Sequence, residues 1–148
     1  MKDDLGLNYT DRHSASEEQF NRALTCYLAS ETNTMAILDE LLANDPDMPM
    51  AAIFKGCLMK LAADPRLDKA IQRTFQNVSR QKDLNDREVM HCEALGLWST
   101  NQMDKASNTY DQLIQNYPKD MLALRVAHYL HLLSLIHISA PTRPERIG

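Results

Sequence analysis

The sequence is poor in the residues that build β-sheets and catalytic loops. It contains only 4 glycines among 148 residues, and aromatic side chains make up 6% of the chain. Val and Thr are also few, whereas Leu, Ala, Met, Gln, Lys and Asp are frequent, and this composition favours helices over strands. No glycine-rich phosphate loop, Gly-x-Ser-x-Gly sequence or Cys/His signature occurs. We therefore expect no enzyme, no catalytic residue and no bound cofactor.

Charge and hydropathy patterns narrow the range of partners and compartments. The net charge is −4 and no basic stripe occurs, so we expect no nucleic-acid partner. No run of about 18 apolar residues is present, and the first 13 residues are too polar for a signal peptide, so we expect no membrane partner. The cysteines, Cys26, Cys57 and Cys92, are odd in number, far apart and without a Cys-x-x-Cys pair, which indicates reduced thiols in a cytoplasmic protein.

One stretch of sequence occurs in two similar copies. Residues 38–51 read LDELLANDPDMPMA, and residues 110–123 read YDQLIQNYPKDMLA, 72 residues later. Half of this offset is 36 residues, which is also the spacing between Ala70 and Ala106. A repeat period of about 34–36 residues is typical of stacked helix pairs, in which each pair covers an apolar face of the previous one.

Helical spacing of apolar residues, interrupted by stop signals, divides the chain. Asn44-Asp45-Pro46, Asp64-Pro65 and Asn116-Tyr117-Pro118 end one helix and prepare the next, because the residue before a proline avoids the α region. We predict an all-α domain over residues 14–133, preceded by an extended lead-in over 1–13. The predicted helices cover 15–29, 34–44, 49–63, 66–80, 86–99, 103–116 and 120–133, about seven in all, stacked as antiparallel pairs.

The unit over residues 87–120 resembles a tetratricopeptide repeat. When Arg87 is counted as position 1, small residues fall at positions 8 and 20 (Ala94 and Ala106), an aromatic residue at 24 (Tyr110) and proline at 32 (Pro118). The small residues would let the two helices of the unit touch, with Tyr110 packed beneath them. The resemblance implies a fragment of an α-solenoid.

Four motifs follow one another along the chain: Phe20-x-x-Ala23-Leu24, Leu42-Ala43-Asn44-Asp45-Pro46, Arg87-Glu88-x-x-His91-x-x-Ala94 and Tyr117-Pro118-x-Asp120-Met121-Leu122-Ala123-Leu124-x-x-Ala127-His128. Their order resembles one family more closely, the tetratricopeptide repeat protein 38 family, over roughly residues 11–132. This resemblance implies a longer all-helical repeat protein with an interaction role, of which this chain is an N-terminal fragment, and it carries over no catalytic residues.

The end of the chain departs from this resemblance. Residues 134–148, SLIHISAPTRPERIG, resemble translated sequencing-adapter sequence, and the alternative is a genuine tail containing Pro and Arg. We expect a non-native or disordered tail there, with no packed fold over 140–148. The last predicted helix would then leave an apolar face uncovered, and we expect self-association through it.

In tetratricopeptide repeats the first helix of each pair lines a concave groove, at repeat positions 2, 5, 9 and 12. The resemblance therefore predicts a protein–protein interaction module, a scaffold or adaptor, that binds a peptide or a partner helix along this face. The alternative is an enzyme or small-molecule sensor whose site further C-terminal repeats would complete. The residues predicted for the groove are Lys55, Met59, Glu88, His91, Leu95, Trp98 and His128, although Trp98 could instead cap the core.

The histidines do not form a predicted metal site. His91-Cys92-Glu93 are consecutive, so on a helix their side chains point about 100° apart and cannot close on one ion. His128 and His131 could share a helix face, but a zinc site needs further ligands and none is near in sequence. We therefore expect no bound metal.

Overall fold

The computed structural model describes residues 16–29 and 31–139, and the regular elements in that part are helical. This confirms the predicted all-α class. A 3-10 turn over Pro65–Leu67 leads into the fourth helix, and no helix in these ranges is long and apolar enough to cross a membrane. The α-helices are α1 (Ser16–Leu28), α2 (Thr34–Asn44), α3 (Pro49–Leu61), α4 (Asp68–Ser79), α5 (Asp86–Ser99), α6 (Met103–Asn116) and α7 (Met121–Ser139).

The observed helix bounds lie close to the predicted ones, except at α4 and α7. The helix predicted from residue 66 starts as a 3-10 turn, because the Asp64 carboxylate accepts a hydrogen bond from the Arg66 N–H at 3.0 Å and tightens this turn. At the other end, α7 continues to Ser139, past the predicted end at 133, since residues 121–140 contain neither proline nor glycine. The predicted lead-in over 1–13 and residues 140–148 lie outside the described residues.

Successive helices pack against each other along the chain, and α3 also packs directly on α5. Between them, a Cβ atom added at Gly56 would come within 2.7 Å of Leu95, so the glycine allows this close approach. Ring contacts join further odd-numbered helices: Phe20 to Phe54, with ring centroids 5.8 Å apart, and Trp98 to Tyr129, at 6.1 Å. The helices α1, α3, α5 and α7 therefore form one layer.

One side chain joins the first and last helices of this layer. The Arg125 guanidinium of α7 donates a hydrogen bond of 2.8 Å to the Leu28 carbonyl at the end of α1. It also lies 5.7 Å from the centroid of the Tyr27 ring, within the range of a cation–π contact. A cation at the C-terminal end of a helix is favourable because the last carbonyls lack partners within the helix.

The repeated sequence forms the same backbone turn twice. Asp45 after α2 and Tyr117 after α6 both have φ −135° and ψ 76°. Each donates its N–H to the carbonyl four residues earlier, Leu41 or Leu113, and both N···O distances are 2.7 Å. The unit α1–α2–α3 therefore recurs as α5–α6–α7, at the 72-residue offset of the sequence.

The core runs through the whole described part of the chain. Ala94 and Ala106, predicted at the contact between the paired helices, are both completely buried, on helices that pack against each other. The largest fully buried side chains come from helices α1 to α6 and from Met48, the residue before α3: Trp98, Tyr110, Phe20, Phe54, Leu38, Leu41, Met48, Met50, Ile53, Ile71, Leu95 and Leu113.

Candidate functional site

The most distinctive chemical feature of the described residues is a buried ionic cluster between α5 and α7. Oδ2 of Asp120 accepts a hydrogen bond from Nε of Arg87 at 2.7 Å and lies 2.6 Å from Nε2 of His91. All three side chains are at most 4% exposed. Hydrogen bonds between ionised groups are stronger than neutral ones, so this cluster fastens the two helices firmly.

Local helix geometry brings the three residues together. Arg87 and His91 are one helical turn apart on α5, so their side chains lie on the same face. Asp120 precedes the first turn of α7, where its Oδ1 accepts the N–H of Ala123 at 3.0 Å. This is the bonding of an N-cap residue. Asp120 thus starts α7 with one oxygen and holds α5 with the other.

The cluster fixes the charge of Asp120. Burial opposes ionisation, but His91 and Arg87 outweigh it and hold the pKa of the Asp120 carboxyl well below its usual range. An ionised carboxylate can only accept, so the proton between the two groups lies on Nε2 of His91. The other ring nitrogen, Nδ1, is buried and has no hydrogen-bond partner in the described part of the chain.

A thiol lies near this cluster but does not provide a nucleophile. Sγ of Cys57 on α3 is 3.6 Å from the hydroxyl of Tyr110, whose ring centroid is 6.1 Å from that of His91. Burial raises the pKa of Cys57 to about 12, and it raises the pKa of Cys92 to about 11. Both thiols therefore stay protonated near neutral pH, and the thiolate is the reactive form.

The structure does not present the predicted concave groove as an open surface. Trp98 packs edge-on against Tyr110 and also contacts Tyr129, while Leu95 packs at Gly56. The carboxylate of Glu88 accepts the N–H of Asn85 in a capping box that starts α5. Among the seven predicted residues, five are buried: Met59, Glu88, His91, Leu95 and Trp98.

The two remaining predicted residues do not lie in one groove. Lys55 is partly exposed and forms an ion pair of 2.7 Å with Asp39 on α2. His128 is exposed on α7. Arg125 of α7 reaches the end of α1, and the predicted groove positions on α5 lie in the core.

An accessible groove lies instead between α2, α3 and α4. It has a volume of about 540 Å³ and includes two of the predicted residues, Lys55 and Met59. A second cavity, of about 350 Å³, lies between α3, α4, α5 and α7 and includes Met59 and Trp98. The remaining lining of the first groove is Leu42, Pro46, Asp47, Ala52, Ala70, Thr74, Asn77, Val78 and Gln81.

The motif Arg87-Glu88-x-x-His91 was part of the family resemblance, but its role as a buried ionic cluster was missed. A signal was present, because Arg87 and His91 occupy the same helix face as the buried Ala94 and Trp98. Charged residues on an apolar face need a buried counter-charge. The sequence does not show that Asp120, 33 residues from Arg87, supplies it.

The histidines of α7 do not converge on a metal site. His131 lies 2.9 Å from the Asp111 carboxylate on α6. Within 16–29 and 31–139, no group of three or more His, Cys, Asp or Glu side chains could hold a metal ion.

A comparison of the chain with models of known protein families found no match. A comparison with solved structures also found none.

Proposed function

We propose that the chain is a helical-repeat interaction module with a TPR-like α-solenoid fold, of the tetratricopeptide repeat protein 38 family. The observation that supports this most directly is the repeated turn, in which Asp45 and Tyr117 share backbone angles and hydrogen-bond geometry. A chain that repeats one helix unit with the same connection builds a surface by stacking, and such surfaces bind other polypeptides.

The partner in this proposal is a peptide or protein segment, and the binding surface is the groove between α2, α3 and α4. Leu42, Ala52 and Ala70 give the groove partly exposed apolar walls, and Lys55 and Asn77 add polar groups. Recognition surfaces combine an apolar centre with polar groups that fix orientation. The inner face of the odd-numbered helices is not the proposed surface, because its side chains are buried.

Asn77→Arg tests the proposed groove with little risk to the fold, since Asn77 is exposed on α4 and arginine is a good helix former. The control is Asn108→Arg, the same change at an exposed position of α6 that does not line this groove. Proteins crosslinked to the wild-type chain in cell extract would be compared with those crosslinked to the two variants.

The proposal predicts a set of proteins recovered with the wild type and Asn108→Arg and lost with Asn77→Arg. Recovery of the same set of proteins with all three chains would contradict the proposal that this groove is the binding surface. A chain with no specific crosslinks at all would contradict the interaction role itself. Unfolding midpoints of both variants in urea would confirm that each remains folded.

A further inference from the structure

The groove between α2, α3 and α4 carries two carboxamide side chains one helical turn apart. Asn77 is exposed near the end of α4, and Gln81 comes two residues after the last residue of that helix. The Gln81 N–H donates to the Val78 carbonyl at 3.0 Å, so the helical turn continues as far as Gln81. Both residues line the groove, and among the described residues neither carboxamide has a hydrogen-bond partner.

The other polar groups of the groove are already engaged. Nζ of Lys55 lies 2.7 Å from the Asp39 carboxylate of α2, and Asp47 is not free either. The Thr74 hydroxyl donates to the Ala70 carbonyl within α4. A carboxamide is neutral and offers both a donor and an acceptor, as a peptide unit does. The groove is therefore complementary, in charge and in hydrogen bonding, to an uncharged main chain.

The spacing of the two carboxamides matches an extended chain. Four residues of a helix rise about 6.0 Å, and two residues of an extended strand span about 6.6 to 6.8 Å. Alternate residues of a strand direct their N–H and C=O groups to the same side. Asn77 and Gln81 can therefore pair with residues i and i+2 of one segment. The lining residues of α4 run from 70 to 81, a rise of about 16 Å, which corresponds to about five extended residues.

A partner helix fits this groove poorly. The backbone N–H and C=O groups of a helix bond within the helix, so the carboxamides would find no main-chain partners. Helices bind grooves through apolar anchors at i, i+3, i+4 and i+7. Met59 and Val78 are only 6% and 1% exposed, which leaves Leu42 as the one large aliphatic side chain of the lining that is partly exposed. The groove thus lacks the apolar surface that would receive such anchors.

We propose that the groove binds an uncharged polypeptide segment in extended conformation, along the axis of α4, with its main chain paired to the carboxamides of Asn77 and Gln81. This inference rests on the proposed function, because it specifies the partner of the same groove. The small side chains of Ala52 and Ala70 leave room for a main chain to approach. Since the paired groups belong to the main chain, binding depends more on the conformation of the segment than on each of its side chains.

Peptides selected from a random-sequence library provide the probe. Those that bind the wild type and do not bind Asn77→Arg define ligands of the groove. The tightest is then synthesised with one main-chain nitrogen methylated at a time, and the dissociation constants are measured by calorimetry. Methylation at two positions that are two residues apart should weaken binding at least about fivefold each, because a hydrogen bond is lost and its partner is left unpaired. Methylation of the residue between them should have little effect.

Gln81→Met tests the carboxamide itself, because it keeps the length of the side chain and removes the amide. It should weaken binding of the unmodified peptide by a similar factor and abolish the effect of methylation at one of the two positions. Gln112→Met is the matched control. Gln112 is exposed on α6, outside the groove, and follows Asn108 by four residues as Gln81 follows Asn77. This control variant should bind the peptide like the wild type.

Each other outcome contradicts a different part of the account. Loss at several consecutive positions, as in a helical ligand whose own hydrogen bonds each methyl group breaks, would overturn the extended conformation and leave the groove as the binding surface. No loss at any position, or a methylation pattern that Gln81→Met leaves unchanged, would overturn pairing of the main chain with the carboxamides. A library without any peptide that Asn77→Arg removes would contradict the groove itself, and the inference would fail together with the proposed function.

Discussion

The two copies of the repeated turn, after α2 and after α6, share a backbone geometry but differ in how they hold the first helix of their unit, α1 or α5. In the first copy, Oδ2 of Asp45 accepts a hydrogen bond of 2.8 Å from the Ser16 hydroxyl of α1. In the second, Tyr117 takes the place of Asp45, and the buried carboxylate comes from Asp120, which contacts Arg87 and His91. The turn geometry is thus preserved, whereas the buried carboxylate contact that joins each turn to the first helix of its unit, here called the anchor, changes. It is a hydrogen bond from a hydroxyl in the first copy and an ionic cluster in the second.

The difference shows which part of the repeat is set by local sequence. The Asn-x-Pro sequence and the helix ends determine the turn, because these act on the neighbouring backbone alone. The anchors join residues 29 and 33 positions apart, so they depend on how the helices pack. The ion pairs between the helices before and after the turns also differ. Asp39 pairs with Lys55, whereas the equivalent Asp111 pairs with His131, which corresponds to a position one helical turn after Lys55.

The largest effect is expected at the ionic anchor. Asp120→Asn keeps the shape and the N-cap acceptor but removes the negative charge that faces Arg87 and His91. Loss of one charge from a buried pair should lower the free energy of unfolding by about 3 kcal/mol. Urea unfolding followed by Trp98 fluorescence measures it, and a loss below about 1 kcal/mol would show that the cluster is not a strong anchor.

Ala106→Leu tests the helix contact inside the second copy. Ala106 is completely buried, so the larger side chain should overpack the α5–α6 interface and cost about 1–3 kcal/mol. Ala36→Leu, on the exposed side of α2, is the matched control and should stay within about 0.5 kcal/mol of the wild type. An unchanged urea midpoint for Ala106→Leu would mean that the helix register is wrong.

Ser16→Ala tests the hydrogen-bonded anchor of the first copy. The change removes a donor to the buried Asp45 carboxylate and should cost about 1–2 kcal/mol, less than Asp120→Asn. The ranking of the two variants is the useful result, because both are measured by the same urea unfolding experiment. A larger loss at Ser16 would reverse the proposed order of the two anchors.

The smallest effect is expected at Thr34, which takes the place of Ala106 in the first copy. Its hydroxyl is buried and has no hydrogen-bond partner among the described residues. Thr34→Val keeps the shape and removes that oxygen, so stability should stay equal or rise by up to about 1 kcal/mol. A clear loss of stability in thermal unfolding would reveal a partner for the hydroxyl, such as a bound water.

The sequence supports the helix pattern better than the predicted binding surface. Apolar spacing and proline stops locate all seven helices because both signals are local. Five of the seven predicted groove residues are buried, and the residues that cover them are distant in sequence: His91 contacts Asp120, 29 residues later, and Leu95 packs at Gly56 of α3. The spacing of Met59 and Trp98 does not show these contacts, and for Trp98 the buried position is the alternative that the sequence left open.

The most direct test of the ionic anchor is the pH dependence of the stability gap between the wild type and Asp120→Asn. The folded-state pKa of Asp120 is depressed, so its contribution is complete above the unfolded pKa near 4 and declines as the pH falls toward the folded value. Urea unfolding from about pH 7 to about pH 2.5 should therefore show a constant gap down to about pH 4.5, and then a narrowing of about 1.4 kcal/mol per pH unit below about pH 4. A gap that stays constant to the lowest pH, or that widens there, would contradict an ionised Asp120 held by Arg87 and His91.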